Sequence, residues 1–439
     1  MTQVSEMTRF IMTDKFIKHT KIEKLDISGA GIGECDNRTA YVYNALPGEE
    51  VEFRVFKKRR GRFEGIATKI AKISPDRIEA KEPEHYQSCS PWQIMSTEAE
   101  KRFKLELSKE TYSSVGLVLP KEFELLGTDK NYHYRNKMEY SFTLDEMCDL
   151  SYAFFQRGRR LLTPIAACHL GSTAINETAE RVLKWLNDNP ISDEIIKSLV
   201  VRSNMTGETI VALFLSEHFN LPELPKLDEQ LVGFHVYYSR PESPASTPDK
   251  LIYSEGSAYL TETIKGVKLR FGALSFFQIN VPVFEIALGD IEPWLEGAKR
   301  VLDFYSGVGT ISLPLHSKYK SAVLVDESRE SIQYAKENIE ANNLKNCEAI
   351  LERSEKMTDL FQKGDTVILD PPRPGLHKKV VSRLVDVEPA RIIYLSCNIK
   401  TQAENLKELK KYYDIKFARV YNFFPRTPHI EGLVVLDRK

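Results

Sequence analysis

Long apolar runs are missing from this 439-residue chain, and none approaches the roughly 20 residues that a helix needs to cross a bilayer. The N-terminal segment is polar and of mixed charge, without the apolar stretch of a signal peptide. These absences predict a cytoplasmic protein with no membrane partner. The chain is too long for one ordinary hydrophobic core, so two or three domains are expected.

Closely spaced cysteines are also missing. The six cysteines stand at positions 35, 89, 148, 168, 347 and 397, and no two of them form a Cys-x-x-Cys pair. This spacing is typical of neither a disulfide framework nor a zinc site. Most cysteines in a reducing compartment are small buried hydrophobic side chains, and five of these six are expected to be of that kind.

A net positive charge, the usual mark of a nucleic-acid-binding protein, is absent as well. The chain has 61 basic and 62 acidic residues, for a net charge of −1. This balance argues against a basic surface overall, but one local basic cluster stands out beside an aromatic residue, Phe63. Contact with a nucleic-acid backbone uses such a combination. The basic residues of the cluster are Lys57, Lys58, Arg59, Arg60 and Arg62.

The hydrophobic pattern divides the chain into three segments after a flexible N-terminus at 1–14. Residues 15–74 contain short β-like runs broken by glycine, which predicts a small all-β barrel. Residues 75–265 mix helical and strand-like patterns and predict a mixed α+β domain. In residues 266–439 strands alternate with helices, which predicts an α/β fold with a parallel, doubly wound, Rossmann-like sheet and an antiparallel last strand.

A glycine turn followed by an acidic residue predicts a nucleotide-like cofactor. Asp303-Phe-Tyr-Ser-Gly307-Val-Gly309-Thr310 follows a predicted strand and is expected to open a helix whose N-terminus faces the ligand. Asp326 ends the next predicted strand, where a carboxylate binds ribose hydroxyls. Ser312 stands where the dinucleotide fingerprint has its third glycine. A nicotinamide oxidoreductase is therefore disfavoured relative to an enzyme that uses S-adenosylmethionine, which has no pyrophosphate.

Two later segments indicate the chemistry. Asp370-Pro-Pro-Arg373 and Leu395-Ser-Cys397-Asn398 each end a predicted strand at the edge of the sheet where ligands bind. A thiolate that adds to carbon 6 of uracil makes carbon 5 nucleophilic enough to take a methyl group. The carbon-5 proton must then be removed by a base, for which Glu431 is the first candidate and Asp370 the second. Arg373 replaces the aromatic residue with which amino-group methyltransferases stack the target base, so an exocyclic amine is a poor target.

These residues together resemble the RNA uracil-5 methyltransferase family over nearly the whole chain. The resemblance rests on Ser275-Phe-Phe-Gln278-Ile-Asn280, the glycine turn, Asp370-Pro-Pro-Arg373, Ser396-Cys397-Asn398 and His429-Ile-Glu431. It implies a class I methyltransferase domain in which Cys397 is the nucleophile and Glu431 the base. The glycine motif and the resemblance together predict S-adenosylmethionine contacts at Gln278, Tyr305, Gly307, Gly309, Thr310, Asp326 and Asp370.

The resemblance also implies a structured RNA as partner, bound by a monomer. The segment 15–74 resembles a TRAM domain, an OB-like RNA-binding module, and the segment 75–265 resembles the family's central RNA-binding domain. Arg135 lies in a stretch similar to an RNA-facing part of the family, and Phe276 is placed to stack on a flipped base. The TRAM-like segment favours 23S ribosomal RNA over transfer RNA as the substrate.

One departure from the family concerns metal. Many relatives hold an iron–sulfur cluster on four cysteines, but here only Cys89 and Cys168 match ligand positions. Two thiolates cannot replace four, so neither a cluster nor another metal site is expected.

Two alternative functions remain open. An RNA cytosine-5 methyltransferase shares the thiolate addition at carbon 6, but it would need a second cysteine near Asp370, and the sequence has none there. The other alternative is an RNA-binding or RNA-folding factor that kept the fold without the chemistry. A test for transfer of a labelled methyl group to bulk RNA separates that factor from an enzyme.

Overall fold

The computed structural model describes residues 16–158, 161–189, 191–219, 221 and 223–439. The segment predicted to be flexible, 1–14, lies outside the described residues. No helix in the described ranges is both long and apolar enough to cross a membrane.

The N-terminal part is a closed five-stranded barrel with the strand order β1-β2-β3-β5-β4. Alternate side chains of its strands are buried, and Ile22, Val42 and Phe53 lie at its centre with no exposed surface. The prediction of an all-β barrel is confirmed. Its strands are β1 (Ile17–Leu25), β2 (Gly31–Cys35), β3 (Arg38–Tyr43), β4 (Glu50–Arg59) and β5 (Arg62–Lys72).

The middle of the chain forms two helices and one short strand, followed by a seven-stranded sheet. The first elements are α1 (Tyr86–Cys89), α2 (Thr97–Ser114) and β6 (Leu125–Leu126). The sheet has the order β13-β12-β11-β10-β7-β8-β9, and α3 packs on one of its faces. These elements are β7 (Lys137–Leu144), β8 (Leu150–Phe155), β9 (Leu162–Ile165), α3 (Thr173–Asp188), β10 (Ile196–Ser203), β11 (Thr209–Leu215), β12 (Leu231–Tyr238) and β13 (Lys250–Gly256).

A two-stranded hairpin leads into the C-terminal sheet, whose eight strands have the order β18-β17-β16-β19-β20-β22-β21-β6. The hairpin strands are β14 (Tyr259–Ile264) and β15 (Val267–Gly272). The remaining strands are β16 (Ala298–Phe304), β17 (Tyr319–Asp326), β18 (Cys347–Leu351), β19 (Thr366–Leu369), β20 (Arg391–Ser396), β21 (Tyr413–Tyr421) and β22 (Glu431–Arg438). The helices are α4 (Val281–Leu295), α5 (Arg329–Ala341), α6 (Lys378–Val387) and α7 (Ile399–Leu409).

Five consecutive strands of this sheet, β16 to β20, are parallel, as the alternation of strands and helices predicted. Chain order reverses between β16 and β19, and open α/β sheets bind ligands at such a switch point, outside the carboxyl ends of the strands. Strand β22 is inserted antiparallel between β20 and β21. The predicted α/β class, with its Rossmann-like sheet and antiparallel last strand, is confirmed.

One expectation for this sheet was wrong. The glycine turn after β16 does not open an α-helix, because turns at 307–312 lead only into a short 3-10 helix, Leu313–Lys318. Pro314 explains the difference. Its ring disfavours helical backbone at Leu313, and it has no N–H to donate to the carbonyl of Thr310.

The segment 97–126, which the sequence analysis placed with the central domain, packs on the C-terminal sheet. Strand β6 pairs with β21, and the buried face of α2 contributes Phe103, Leu107 and Tyr112 to the core between that sheet and α7. The C-terminal sheet is therefore completed by residues that precede the seven-stranded sheet in the chain.

Candidate active site

The carboxyl ends of β16, β17, β19 and β20 and the start of β22 surround one cavity of about 510 Å³. The parallel topology explains this, because consecutive parallel strands end at the same edge of a sheet. The residues that line the cavity are Phe276, Phe277, Gln278, Ile279, Tyr305, Asp326, Glu327, Ser328, Ser354, Glu355, Asp370, Pro371, Pro372, Arg373, Cys397, Phe424 and Glu431.

The Asp326 carboxylate is fixed at the end of β17 by backbone donors. Its Oδ2 accepts a hydrogen bond from the Gly307 N–H at 2.9 Å, and its Oδ1 accepts one from the Ser328 N–H at 2.8 Å. Each carboxylate oxygen has a further lone pair, so both can still accept hydrogen bonds from a ligand. This arrangement suits a pair of ribose hydroxyls.

The two glycines of the turn have different roles. Gly307 has a φ of +56°, and its N–H orients Asp326. Gly309 has a φ of +90°, and a Cβ atom there would lie 2.5 Å from Leu313 Cδ1, so the turn needs glycine for packing as well as for conformation. Thr310 is buried and does not line the cavity. Gly309 and Thr310 therefore contribute to the packing of the turn and do not line the cavity.

Tyr305 occupies a strained position where β16 ends. Its φ of +64° is in the left-handed region, which costs a non-glycine residue about 1–2 kcal/mol. Its N–H donates to the carbonyl of Val325, which holds that conformation, and its side chain lines the cavity. Strain of this kind clusters at ligand sites.

The cavity is acidic. Five carboxylic acids line it, Asp326, Glu327, Glu355, Asp370 and Glu431, and Arg373 is the one cation among the described lining residues. Burial and the nearby Asp303 carboxyl raise the pKa of Asp370 to about 8, although a hydrogen bond from Gln278 Nε2 at 3.0 Å opposes the shift. A positively charged ligand fits this environment, and a pyrophosphate does not.

Sequence reasoning assigned no role to Asp303, which lies directly before the glycine turn. It is 1% exposed, its Oδ2 accepts a hydrogen bond from Ser312 Oγ at 2.5 Å, and burial raises its pKa to about 7. Its position at the end of a buried strand was the available signal. Asp303 does not line the cavity, but its carboxyl contributes to the raised pKa of Asp370.

Cys397 and Glu431 are brought together by the register of two antiparallel strands. Ser396 of β20 pairs with Gly432 of β22, so the next residues in each direction, Cys397 and Glu431, lie side by side. Glu431 is 2% exposed and is the residue at which β22 begins. The predicted nucleophile and base thus share one wall of the cavity.

Burial, together with neighbouring carboxyl groups, favours the neutral forms of both groups. Burial, then Glu431 and then Asp370, raise the pKa of the Cys397 thiol to about 12, with Arg373 opposing them. Burial and the Asp370 carboxyl raise the pKa of Glu431 well above its usual range. A cation bound between these groups would favour their ionised forms, and a carboxylate with a raised pKa is a stronger base.

Arg373 and Phe424 line the same cavity, and His429 contacts both of them; the sequence analysis gave these three residues no role in the site. The Arg373 guanidinium donates to His429 Nε2 at 3.3 Å, and Phe424 stacks edge-on against the His429 ring at 5.7 Å. Burial, with Arg373 the next cause, lowers the pKa of His429 to about 3, so its imidazole is neutral. The exposed ring of Phe276 stands at the rim of the same cavity.

A second cavity of about 460 Å³ shares Ile279, Arg373 and Phe424 with the first. It is also lined by Arg135 and Lys137, and burial lowers the pKa of Lys137 to about 8. The predicted RNA-contacting Arg135 therefore faces a space directly beside the candidate active site.

The barrel reaches the same site from the other side. Ile27, in the turn after β1, lines a smaller cavity of about 150 Å³ together with Cys397, Asn398 and His429. The basic cluster forms the β4–β5 hairpin, where Glu64 lies 2.7 Å from Arg62, 3.4 Å from Arg59 and 3.8 Å from Lys57. Glu64 thus offsets part of the cluster's charge. The basic hairpin is therefore a different part of the barrel from the Ile27 turn, which borders the candidate site.

A buried ion pair on α2 holds the loop that carries Phe424 and His429. Lys104 and Glu100 have no exposed surface, and Lys104 Nζ lies 2.9 Å from Glu100 Oε1. Lys104 also donates to Asn422 Oδ1 at 2.6 Å and to the Phe424 carbonyl at 3.0 Å. Glu100 accepts hydrogen bonds from the Arg426 N–H at 3.1 Å. Helix α2 therefore positions the loop from behind.

Replacing Lys104 with Met is expected to destabilise the protein by about 3–5 kcal/mol, because it leaves the Glu100 carboxylate buried without its partner. The measurement is the urea concentration at the midpoint of unfolding of the C-terminal part, with tyrosine fluorescence as the signal. Lys109→Met, on an exposed position of the same helix, is the control. A Lys104→Met midpoint equal to that of Lys109→Met would contradict the assignment, and the double variant Glu100→Gln/Lys104→Met should recover part of the loss.

Comparison with known proteins agrees with this geometry. The family model for "tRNA (Uracil-5-)-methyltransferase" matches residues 117–439. The chain belongs to this family. The family membership and the RNA methyltransferase activity predicted from the sequence are confirmed.

Curated relatives match along nearly their full length. A protein of Caldanaerobacter subterraneus described as an uncharacterized RNA methyltransferase is 29% identical, over 95% of this chain and 98% of its own. One from Listeria monocytogenes, described in the same words, is 28% identical over 95% and 96%. The matches therefore span nearly the whole length of this chain and of both relatives.

One solved structure is similar over the whole fold. It is the Pyrococcus abyssi tRNA (uracil-54, C5)-methyltransferase in complex with S-adenosyl-L-homocysteine. The match has a TM-score of 0.78 and 24% identity, and it covers 95% of this chain and 100% of the other. It shows that the two proteins share a fold.

Proposed function

We propose that this family member methylates carbon 5 of a uridine in structured RNA through a covalent adduct between Cys397 and carbon 6 of the base, with S-adenosylmethionine as methyl donor. The observation that carries the proposal is the convergence of Cys397, Glu431 and Asp370 on one acidic cavity. The three residues come from three strands whose ends the topology brings together.

The residues present fit S-adenosylmethionine. The Asp326 carboxylate has lone pairs free for ribose hydroxyls, and the acidic lining suits the positive sulfonium and amino groups. Asp370 and Gln278, which are joined by a hydrogen bond, offer further polar groups in the lining of the same cavity. When bound there, the cofactor supplies a methyl group from its sulfonium sulfur.

Cys397 acts first. Its thiol proton passes to a neighbouring carboxylate, and Asp370, which lines the same cavity, is the candidate acceptor. The sulfur then forms a bond to carbon 6 of the uracil while the electron pair of the 5,6 double bond moves to carbon 5. Carbon 5 would take the methyl group, and the donor's sulfur would keep the electron pair of the broken carbon–sulfur bond. The positive charge of the cofactor, held among the carboxylates, favours the thiolate over the thiol.

Glu431 acts after methyl transfer. Its carboxylate removes the carbon-5 proton, and the electron pair of that C–H bond re-forms the 5,6 double bond while the carbon–sulfur bond breaks. Cys397 leaves as a thiolate and is ready for the next cycle. Because Glu431 lies beside Cys397, its carboxylate stays within reach of a uracil that is bound to the Cys397 sulfur.

The RNA is proposed to approach over Arg135, Phe276 and the barrel. The exposed Phe276 ring at the rim can stack on a base turned out of its helix, and Arg135 and Lys137 in the second cavity can meet the adjacent backbone. The basic hairpin of Lys57, Lys58, Arg59, Arg60 and Arg62 would contact a more distant part of the same RNA.

The test is transfer of a labelled methyl group to RNA from a strain that lacks the gene. We expect label in 5-methyluridine at one position, and 23S ribosomal RNA and transfer RNA are both assayed, although the barrel resemblance first favoured 23S ribosomal RNA. The barrel does not separate the two, because the Pyrococcus enzyme named for transfer RNA is matched over its whole length. Label in 5-methylcytidine would support the cytosine alternative, and no label in any RNA would support a non-catalytic factor.

Cytosine chemistry is disfavoured by the site itself. It would use a second cysteine near Asp370, and Cys397 is the one cysteine among the described residues that line the cavity.

A further inference from the structure

A second cluster of reactive side chains lies between the barrel and the seven-stranded sheet. Glu82, His85 and Cys89 offer a carboxylate oxygen, an imidazole nitrogen and a sulfur that lie within 4.8 Å of one another. Cys89 packs against the core cluster that contains Cys168, and Cys168 has no exposed surface. None of these four residues lines the Cys397 cavity, although Cys89 lines the second cavity beside it.

The spacing of these donors leaves room for one ion between them. Cys89 Sγ lies 3.4 Å from His85 Nδ1, and one oxygen of Glu82, one ring nitrogen of His85 and the Cys89 sulfur all lie within 4.8 Å of one another. Zinc–sulfur and zinc–nitrogen bonds of about 2.3 and 2.0 Å at tetrahedral angles place neighbouring donors roughly 3.4–3.6 Å apart. The distance between Cys89 and His85 matches that separation.

The Glu82 carboxylate is oriented as a metal ligand usually is. Its Oε2 accepts a hydrogen bond from Gln93 Nε2 at 2.6 Å, and its Oε1 accepts one from the His169 N–H at 2.6 Å. The His169 ring lies 2.9 Å from the same Oε1. Outer hydrogen bonds of this kind fix first ligands in place, and a carboxylate that is only 4% exposed needs compensation for its charge.

We propose that Glu82, His85, Cys89 and Cys168 bind a single zinc-type divalent ion. These residues do not fit the four-cysteine iron–sulfur cluster implied for many relatives, because two of the four donors are nitrogen and oxygen. A mixed set of sulfur, nitrogen and oxygen donors is typical of zinc. The ion ties the segment that follows the barrel, which contains α1, to the loop before α3, and so holds the barrel against the central sheet.

The test is titration of the full-length, metal-free, reduced protein with Co²⁺. We expect one equivalent to bind, with the strong visible absorption of a tetrahedral site and a thiolate-to-cobalt charge-transfer band, both lost on addition of Zn²⁺. Cys89→Ser and Cys168→Ser should each weaken binding by at least about tenfold and reduce the charge-transfer band. Cys148→Ser, at an exposed cysteine, is the matched control and should bind like the wild type.

His85→Gln is a second variant that leaves both thiols in place, and circular dichroism checks that each variant is folded. It should keep the charge-transfer band while losing affinity. The proposal is overturned if no Co²⁺ binds at micromolar concentration, or if folded Cys89→Ser and His85→Gln bind like the wild type. A brown protein that contains iron and sulfide would also overturn it. None of these measurements depends on methyl transfer.

Discussion

Cys397→Ala is expected to lose methyl transfer by on the order of 10⁴-fold or more while it still binds RNA and S-adenosylhomocysteine. The substitution removes the sulfur that adds to carbon 6, and without that bond carbon 5 is too weak a nucleophile. The side chain is half-buried at the end of β20, and its loss leaves the Asn398 cap of α7 and the hydrogen bond from Asn398 to the Arg373 carbonyl in place. Single-turnover transfer of a labelled methyl group is the measurement.

An RNA that contains 5-fluorouridine gives a second readout for the same residue. Fluorine cannot leave carbon 5 as a proton does, so wild-type enzyme should remain joined to this RNA after denaturation. Cys397→Ala should form no such product, and Cys148→Ala, at an exposed position, should form it like the wild type. Residual turnover of Cys397→Ala above a few per cent would exclude the thiolate mechanism.

Glu431→Gln is expected to separate the two halves of the reaction. Gln keeps the shape of the side chain but has no basic oxygen, so Cys397 addition and methyl transfer should proceed while proton removal slows by about 10²–10⁴-fold. The variant should accumulate as a methylated RNA bound to Cys397, visible as a band that survives denaturing electrophoresis. Turnover in the steady state should fall by the same factor.

The control for Glu431→Gln is Glu106→Gln, an exposed acid on α2 that should behave like the wild type in both assays. Two results would sink the assignment of Glu431: turnover equal to that of Glu106→Gln, or complete absence of the adduct with natural RNA. Asp370, whose pKa is raised to about 8 in the same cavity, is then the next base to test.

Local patterns in the sequence were sufficient to predict the barrel, the parallel sheet and its antiparallel last strand. Alternating burial sets the strands, and the alternation of strands with helices sets the parallel order, so both leave a periodic trace in the sequence. The glycine turn and Asp326 were also predictable, because a backbone at positive φ and a carboxylate at a strand end are tied to short motifs. The helix expected after that turn failed because Pro314, only a few residues further on, overrides the pattern.

Other features of the site left no such trace. Two separate loops supply Arg373 on one side and Phe424 and His429 on the other, and a hydrogen bond between Arg373 and His429 connects them. The buried pair of Glu100 and Lys104, which supports one of these loops, lies far away in the chain. Nothing in the local sequence around Lys104 distinguishes it from a solvent-exposed lysine on a helix. Its partners become visible only once α2 packs behind the loop.

What the sequence by itself determined is the set of local structures and the candidates for nucleophile and base, Cys397 and Glu431. What only the tertiary structure decided is which of them meet. The insertion of β22 beside β20 places Glu431 next to Cys397. The packing of the 82–89 segment brings donors of Glu82, His85 and Cys89 within 4.8 Å of one another, a grouping that the spacing of the cysteines does not predict. Spacing rules describe ligands on one local element, whereas a site that joins distant segments depends on long-range packing that no local pattern encodes.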